Sequence, residues 1–312
     1  MKIAITGGTG FVGSHLAQRL IADGYEVVVI GRTVRGAGLP TGVRLVRAEI
    51  TDAVALEAAF RECDAVAHCA GINREIGEQT YQRIHVEGTR AVAAASRAAG
   101  VQRLVMLSFL RARPDGPTAY HRTKWEAEEL VRGSGLTWTI LKAGVIHGRG
   151  DHMLDHLSHA FFTFPIFGLV GLHERNVRPV AVDDVARVLE AAVLGDPRLA
   201  DRTVAVLGPE ELPLGQAVRR VAAVTGRHPT FVRLPIWAHL AIGRVAELLM
   251  RVPLVSLAQV RILQEGVTVA APSAEPLPPD LAPSTPFSEA VIRTGLPSAG
   301  GFGRADLRWC AG

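Results

Sequence analysis

The sequence feature that most constrains the fold is a glycine-rich turn between a strand pattern and a helix pattern, in the stretch KIAITGGTGFVGSHLAQRL. Its glycines are spaced three residues apart, which suits a tight bend, a bare backbone where an anion can approach, and close packing of helix on strand. The N–H groups that open the helix then point at the anion. We predict that a pyrophosphate is held by Gly7, Thr9, Gly10, Phe11, Val12 and Gly13. The alternative is a turn that binds nothing.

Short runs rich in Val, Ile and Leu alternate with helix patterns over the first 145 residues. The strand patterns are residues 2–6, 26–30, 43–48, 64–69, 103–108 and 137–142. The helix patterns lie near residues 11–23, 52–61, 79–99 and 119–133. Because strands this apolar are buried on both faces, the alternation indicates a parallel sheet covered by helices on each side. The expected fold class is α/β: a doubly wound parallel sheet of the Rossmann type with a smaller C-terminal substrate lobe.

The end of the second strand pattern indicates which dinucleotide binds. In NAD-specific sites an acidic residue about 20 residues after the glycines accepts hydrogen bonds from the ribose hydroxyls. Here the segment reads VVVIGRTVR, with Gly31 and Arg32 in that place. A guanidinium pairs with a 2′-phosphate and offers nothing comparable to a bare ribose. We therefore predict NADP (NADPH) over NAD, with Arg32 as a ligand. The other interpretation of Arg32 is a solvated loop arginine.

The pattern changes after residue 150. A helix pattern at 152–162 leads into a glycine-rich stretch, and short strands then alternate with helices, the last of which Gly226 is expected to cap. Residues from Ala270 onward are rich in Pro, Ser and Gly and are expected to be irregular. The predicted domains are an NADP-binding Rossmann domain at 1–150, a substrate lobe with a sheet extension at 151–269, and a tail at 270–312.

Composition limits the class of protein. The chain is 48% hydrophobic and 21% charged, which provides for a large core and excludes global disorder. Its net charge of +4 comes from scattered arginines, and aromatic residues do not interleave with basic clusters, so no nucleic-acid surface is predicted. Cys63, Cys69 and Cys310 fit neither a metal spacing nor an even set of disulfides. With a strand pattern directly at the first residues and no room for a signal peptide, a reducing, cytoplasmic location is expected.

The longest apolar stretch runs from Leu234 to Leu254 and contains two arginines, a glutamate and a histidine. Central charges cost on the order of 3 kcal/mol each in a bilayer, so no transmembrane helix is predicted. A buried or half-buried helix is the simplest interpretation. The alternatives are contact with a membrane surface or with a protein partner through residues 235–251.

Tyr120 and Lys124 stand four residues apart at the start of a helix pattern, in TAYHRTKWEAEEL, and therefore share one face. A free phenol titrates near 10, so proton transfer near neutral pH requires about 3 units of help, or roughly 4 kcal/mol, from nearby cations. Lys124 can supply part of that help. By itself the spacing is common by chance.

Several segments together give the pair a context: TGGTGFVG, CDAVAHCAG, IHVEGTRAV, LVMLSFL, AYHRTKWEAEELV and RPVAVDDVA. With these segments the chain resembles the short-chain dehydrogenase/reductase superfamily, in its extended or atypical branch. Within that branch it is similar to the NAD-dependent epimerase/dehydratase group and to the NADPH-binding accessory subunit of respiratory complex I. The resemblance covers residues 2 to about 190, is weaker to about 265, and does not reach the tail.

The resemblance implies roles for individual residues. Tyr120 would be the acid/base, Lys124 would lower the pKa of Tyr120 and hold the nicotinamide ribose, and Ser108 would orient the substrate oxygen. Further cofactor contacts would come from Glu49, Ile50, Ala70 and Gly71.

Two positions depart from the family pattern. His85 stands in HVEGT, where the family commonly has an asparagine that braces a proton relay, and Lys142-Ala143 replaces a common Arg-Pro after the sixth strand. The resemblance favours an NADP-dependent oxidoreductase or epimerase-like enzyme acting on a small, possibly apolar, molecule. The alternative is a non-catalytic NADPH-binding accessory or redox-sensing protein, which the two departures favour.

No metal site is predicted. Four residues could share one helix face with a geometry that can ligate a metal: His152, Asp155, His156 and His159. They complete no known ligand pattern, and a polar or solvated helix face is the preferred interpretation.

Overall fold

The computed structural model describes residues 1–32, 38–250, 257–303 and 306, apart from the side chain of Glu247. Within these residues the chain divides into two compact units. Unit 1 contains residues 1–144, 182–206 and 269–284, and unit 2 contains residues 145–181, 207–268 and 285–312.

Unit 1 is built on a seven-stranded sheet in which every pairing is parallel, with strand order β11-β6-β5-β4-β1-β2-β3. The strands are β1 (Lys2–Thr6), β2 (Glu26–Gly31), β3 (Arg44–Arg47), β4 (Ala65–His68), β5 (Arg103–Phe109), β6 (Thr137–Ala143) and β11 (Arg202–Val206). All six predicted strands of the first 145 residues are confirmed, and β11 adds the expected extra strand beside β6. The doubly wound α/β fold is therefore confirmed.

Helices cover the sheet of unit 1. They are α1 (Phe11–Ala22), α2 (Ala53–Phe60), α3 (Gly88–Ala98), α4 (Ala119–Arg132) and α6 (Val182–Leu194). One core cluster joins α2, α3 and α4 to the strands through residues such as Phe60, Val92, Leu104 and Ala127, all 0% exposed. The predicted helix near 79–99 starts with a π-helical turn, Gln82–Glu87, a wider winding that often marks functional sites.

Unit 2 contains short strand pairs and helices. Its strands are β7 (Ile146–His147), β8 (Ile166–Val170), β9 (Asn176–Val177), β10 (Val180–Ala181), β12 (Leu212–Pro213) and β13 (Thr230–Leu234). Its helices are α5 (His152–Thr163), α7 (Leu214–Thr225), α8 (Ile236–Leu249), α9 (Leu257–Glu265) and α10 (Glu289–Gly295). β8 and β13 form a parallel ribbon. Gly226 caps α7 with a left-handed backbone (φ +69), as predicted.

The two units do not follow the predicted order of consecutive segments. α6 and β11 belong to unit 1 because β11 pairs with β6 at the edge of the sheet. The proline-rich tail is divided: Glu275 exchanges backbone hydrogen bonds with Thr203 and Ala205 beside β11, at 2.9 and 3.1 Å. Residues from 285 join unit 2, where α10 forms and Phe287 is fully buried. Long-range pairing of this kind leaves no local sequence signal.

The apolar stretch at 235–251 forms α8, and its last predicted residue lies outside the described residues. Among the residues that the structure describes, no helix is long and apolar enough to cross a membrane. One face of α8 is buried and the other is exposed, so the half-buried interpretation is confirmed for this helix.

The burial of Phe287 predicts that the tail contributes to stability. Phe287→Ala removes a ring that is 0% exposed and lies 4.8 Å, centroid to centroid, from the ring of His147. We expect the free energy of unfolding to fall by about 3–5 kcal/mol in urea denaturation followed by circular dichroism. Phe164→Ala is the matched control, since Phe164 is 44% exposed, and should change stability little. Equal effects of the two substitutions would contradict a structural role for the tail.

Candidate active site

The glycine-rich turn leaves no room for side chains at two of its glycines. Gly7 has φ +69, and a Cβ there would lie 2.7 Å from the backbone N and Cα of Ala70 at the end of β4. A Cβ at Gly13 would collide with the carbonyl oxygen of Gly7. Gly7 also donates a backbone hydrogen bond to Ile30 at 3.0 Å, which ties the turn to β2. The turn is therefore held tightly between the ends of β1, β2 and β4.

The N-terminus of α1 follows this turn directly. Gly10 is the N-cap residue, and no side chain of the described residues caps the helix there. Its first N–H groups are thus available to an anion, and the partial positive charge of the helix end favours one. Phe11 and Thr9 are partly exposed, whereas Val12 is 8% exposed and packs inward. The backbone here fits the pyrophosphate of a dinucleotide.

The predicted adenosine end lies where β2 and β3 finish. Arg32 follows β2 and is exposed, and within the described part of the chain its guanidinium makes no ion pair. Glu49 is exposed as well. Ile50, by contrast, is buried in the core cluster and packs against Gly88, where a Cβ would come within 2.9 Å of it. Ile50 can therefore shape the site through its backbone and packing, while Arg32 and Glu49 can present charged groups.

Tyr120 and Lys124 are both buried near the start of α4, and both side chains reach the loop that follows β4. The Tyr120 hydroxyl donates a hydrogen bond to Oδ1 of Asn73 at 3.4 Å. Lys124 Nζ donates to the carbonyl oxygen of Leu107 at 3.3 Å, and it would lie 3.1 Å from a Cβ placed on Gly71. The structure therefore brings the predicted pair together at residues 71–73.

Burial dominates the ionisation of this pair. It raises the pKa of Tyr120 above the usual value of 10, with the nearby Tyr81 adding to the shift. It lowers the pKa of Lys124 from 10.5 to about 8, a shift that Glu128 partly opposes. In the chain itself, then, Lys124 does not bring the tyrosine toward neutral pH. The phenol is protonated, as a proton donor must be.

Aromatic rings enclose the Tyr120 side chain. The ring centroids of Tyr81, His85 and Phe109 lie 5.5, 5.4 and 5.1 Å from that of Tyr120, all in edge contact. Such packing excludes water from the phenol and is the physical cause of its raised pKa.

His85, at the position where the family pattern has asparagine, connects α4 to the same loop. Its Nδ1 lies 3.0 Å from Thr123 Oγ1, and its Nε2 lies 3.1 Å from the carbonyl oxygen of Ile72. Burial and the charge of Lys124 hold the pKa of His85 well below its usual range, so the ring is neutral. His85 thus braces the loop that receives Tyr120 and Lys124.

Asn73 was missed by the sequence analysis. It lies two residues beyond Gly71, and its backbone carbonyl accepts a 3.0 Å hydrogen bond from the Tyr81 hydroxyl. Its position in the loop after the fourth strand was the available signal, but exposed loop asparagines are common and nothing local connects Asn73 to Tyr120.

Ser108, which the resemblance would place beside the substrate oxygen, has a different hydrogen-bond partner. Its hydroxyl donates a 2.6 Å hydrogen bond to Glu128, which is 0% exposed. Glu128 also pairs with Lys142 at 3.2 Å and with Arg132 at 2.9 Å. The ammonium of Lys142 bonds in addition to the carbonyl oxygens of Ala112 and Ala271. Lys142 is therefore the cationic partner in a buried ion pair with a residue of α4. This ion pair explains why a lysine stands at position 142.

The polar face of α5 lies in unit 2. His159 Nδ1 lies 2.7 Å from the backbone oxygen of Asp155, and the rings of His152 and His156 are 6.1 Å apart. Asp151 caps the helix through Met153 at 2.7 Å, and burial raises the pKa of Asp151 to about 7. These contacts are typical of a polar helix surface whose side chains bond to the backbone of their own helix.

Comparison with known proteins identifies relatives of the chain. A family model described as NAD(P)H-binding matches residues 7–159. The chain is 32% identical over 240 residues to (4-alkanoyl-5-oxo-2,5-dihydrofuran-3-yl)methyl phosphate reductase of Streptomyces griseus, covering 75% of this chain and 77% of that protein. It is 27% identical over 251 residues to the mitochondrial NADH dehydrogenase [ubiquinone] 1 alpha subcomplex subunit 9 of Mus musculus, covering 77% and 66%.

An uncharacterised protein of Mycobacterium tuberculosis is 31% identical over 261 residues, covering 84% of this chain. The match spans 27% of that protein, so the chain corresponds to about a quarter of the length of its mycobacterial relatives. A similar solved structure is UDP-glucose 4-epimerase of Thermus thermophilus with NAD, at 20% identity and a TM-score of 0.66 over 95% of this chain and 97% of that one. At this identity the likeness shows the shared fold.

The lowered pKa of Lys124 predicts that the charged form of this lysine destabilises the folded chain. The unfolded chain holds a proton on this lysine up to about 10.5, and the folded chain only up to about 8, so charging it in the folded state costs free energy below about pH 8. Lys124→Met should therefore raise the free energy of unfolding by roughly 1–3 kcal/mol near pH 7. The gain should shrink as pH rises from about 8 toward 10.5, measured by urea denaturation.

Lys142→Met provides the opposing control. It removes the ammonium partner of the buried Glu128 carboxylate, which keeps Arg132 and Ser108, and should destabilise the chain by roughly 1–3 kcal/mol at the same pH. If Lys124→Met destabilises to a similar extent, the energetic assignment of Lys124 is wrong.

Proposed function

The chain belongs to the short-chain dehydrogenase/reductase superfamily, in its extended, epimerase-like branch of NAD(P)-binding proteins, and on that basis we propose that it is an NADPH-dependent reductase. The proposed substrate is a small molecule with a carbonyl group and an apolar part. The observation that carries the proposal is the convergence of Tyr120 and Lys124 on the loop at 71–73, in the unit that holds the glycine-rich turn.

The turn and the end of β2 would hold the cofactor. The backbone N–H groups at the start of α1 suit the pyrophosphate, and the close approach of Gly7 to Ala70 leaves the bare backbone surface that such a group needs. Arg32 is exposed, unpaired among the described residues and correctly placed along the sequence to bind a 2′-phosphate. When bound, NADPH supplies a hydride to the substrate carbon.

Tyr120 would act as the general acid. Its burial keeps the phenol protonated, which is the form that can donate a proton to an oxygen gaining negative charge. Asn73 accepts the hydroxyl hydrogen bond and fixes its direction before a substrate oxygen replaces it. Lys124 places a positive charge one helical turn away, where it favours the phenolate that remains after proton transfer.

For the direction of reaction we propose reduction. A buried, protonated tyrosine suits reduction, whereas oxidation requires a phenolate to accept the proton. The Streptomyces relative is named as a reductase of an alkanoyl-bearing compound, which is in keeping with a reductive role and an apolar substrate. Ser108 is given no part in the proposal because its hydroxyl bonds to Glu128.

A second candidate is an NADPH-binding protein that does not turn over substrate. The hydrogen bond from Ser108 to Glu128 favours it, since a hydroxyl that donates its proton to Glu128 does not offer that proton to a substrate oxygen. The likeness to the complex I subunit gives partial support, because that relative is named as a component of a larger assembly.

The role of Arg32 predicts the cofactor preference. Arg32→Ala removes a charge-assisted contact to the 2′-phosphate, so the Kd for NADPH should rise by roughly 10- to 100-fold with little change for NADH. Fluorescence titration of the two reduced cofactors measures both constants. Arg44→Ala is the control, because Arg44 is an exposed arginine at the opposite end of the neighbouring strand β3. Equal affinity of the wild type for NADH and NADPH would refute the 2′-phosphate site.

The role of Tyr120 predicts a loss of turnover without a loss of binding. Tyr120→Phe should lower kcat by about 10²- to 10⁴-fold, because general acid catalysis contributes that much, and should leave NADPH affinity within a few-fold. The assay is oxidation of NADPH with panels of aldehydes, ketones, quinones and sugar nucleotides. Tyr25→Phe is the matched control, since Tyr25 is a partly exposed tyrosine outside the site. NADPH binding without turnover on any panel by the wild type would favour the second candidate.

A further inference from the structure

The exposed face of α8 in unit 2 is apolar along its whole length. Five large side chains of this helix are exposed: Trp237 (73%), Ile242 (46%), Val245 (53%), Leu248 (56%) and Leu249 (39%). At about 100° per residue, these positions fall within an arc of roughly 140° on one side of the helix. We call this set the apolar arc. An exposed apolar strip with polar residues at its edge can serve as a contact site.

The opposite side of α8 is already packed. His239 is 5% exposed with its Nε2 3.3 Å from the carbonyl oxygen of Gly168 in β8, and Ala246 is 7% exposed. A Cβ at Gly168 would come within 2.7 Å of Leu234 and 3.4 Å of His239, so the helix lies close against the β8–β13 ribbon. One face of α8 therefore packs against the rest of unit 2. The apolar arc lies on the other face of the helix and takes no part in that packing.

The sequence segment that contains α8 has a positive net charge. Residues 227–261 contain five arginines, at 227, 233, 244, 251 and 261, and one acidic residue, Glu247, which gives 5 − 1 = +4. The whole chain has a formal net charge of +4, so this segment carries an excess equal to that of the entire protein. Arg244 is exposed at the edge of the apolar arc, while Arg233, three residues before the helix, is exposed and ion-paired with Glu174 at 2.9 Å. An apolar strip with a terminal tryptophan and basic flanks complements an anionic lipid surface.

The size of the apolar arc argues against a second copy of the chain as its partner. A helix of 14 residues is about 21 Å long and about 10–12 Å wide, so its face offers roughly 250 Å². A stable protein interface needs about 800 Å² from each partner. A bilayer surface has no such minimum, because burial of a few apolar side chains and the attraction of basic groups add directly.

We propose that α8 is a peripheral membrane-docking element, which lies in the interfacial region of an anionic bilayer with the apolar arc toward the acyl chains. Trp237 and Leu248 would enter the boundary between headgroups and hydrocarbon, and Arg244 would remain among the lipid phosphates. The helix is too short and too charged in its flanks to span the bilayer. This proposal is independent of the cofactor and of any turnover.

Vesicle binding tests the proposal. The full chain is incubated with vesicles of phosphatidylcholine alone and of phosphatidylcholine with phosphatidylglycerol, and the bound fraction is measured by flotation. We expect binding to the anionic vesicles, weakened by added salt, and quenching of Trp237 emission by brominated lipid, read as the difference from Trp237→Phe. Val245→Glu and Leu248→Glu should each lower the partition coefficient on the order of tenfold or more.

Val54→Glu is the matched control, because Val54 is 79% exposed on α2 of unit 1 and should leave vesicle binding unchanged. Circular dichroism and urea denaturation confirm that each variant is folded, and the quenching measurement needs no charged substitution. Failure of the wild type to bind anionic vesicles would overturn the proposal. So would loss of binding in Val54→Glu to the same extent, or self-association in sedimentation that Val245→Glu abolishes, which would assign the apolar arc to a second copy.

Discussion

The ion pair between Glu128 and Lys142 fixes the geometry on which the candidate active site depends. Both groups are almost completely buried, and burying either charge alone would cost several kcal/mol. The cost is offset because Glu128 also accepts hydrogen bonds from Ser108 and Arg132 while Lys142 donates to two backbone carbonyls. Glu128 is one helical turn beyond Lys124 and two beyond Tyr120, so anchoring it to β5 and β6 sets the rotation of α4. The side chains of Tyr120 and Lys124 then project toward the loop after β4.

Local sequence signals were enough to predict the glycine-rich turn between β1 and α1 and the central sheet. The glycine spacing and the apolar runs of β1, β2 and β4 reflect conformations that depend on neighbouring residues, and all of these elements form where expected. The same reasoning could not assign Ser108, because whether a strand-end hydroxyl faces a substrate or a buried carboxylate depends on a residue 20 positions away. Lys142 was likewise understood only as a departure from a family pattern, although it is the partner of that carboxylate.

The candidate site is shielded from water although it contains the ammonium group of Lys124. Tyr81, His85 and Phe109 shield the phenol of Tyr120, so the same packing that raises its pKa also lowers that of Lys124. His85 remains neutral beside the ammonium, and a charged residue at that position would repel it or compete with it. A neutral ring with two hydrogen-bonding nitrogens can thus join α4 to the loop at Ile72.

The interleaving of the two units has an entropic consequence. The chain passes from one unit to the other five times, so residues 145–181 and 207–268 form two loops whose flanking residues belong to unit 1. Closing a loop of several tens of residues costs conformational entropy that grows only slowly with length. Once unit 1 has formed, both ends of each loop are held in place. The loop then has fewer conformations to lose, so it folds at a smaller entropic cost than a free segment of the same length. A cut within residues 145–181 or 207–268 removes that confinement from the severed loop.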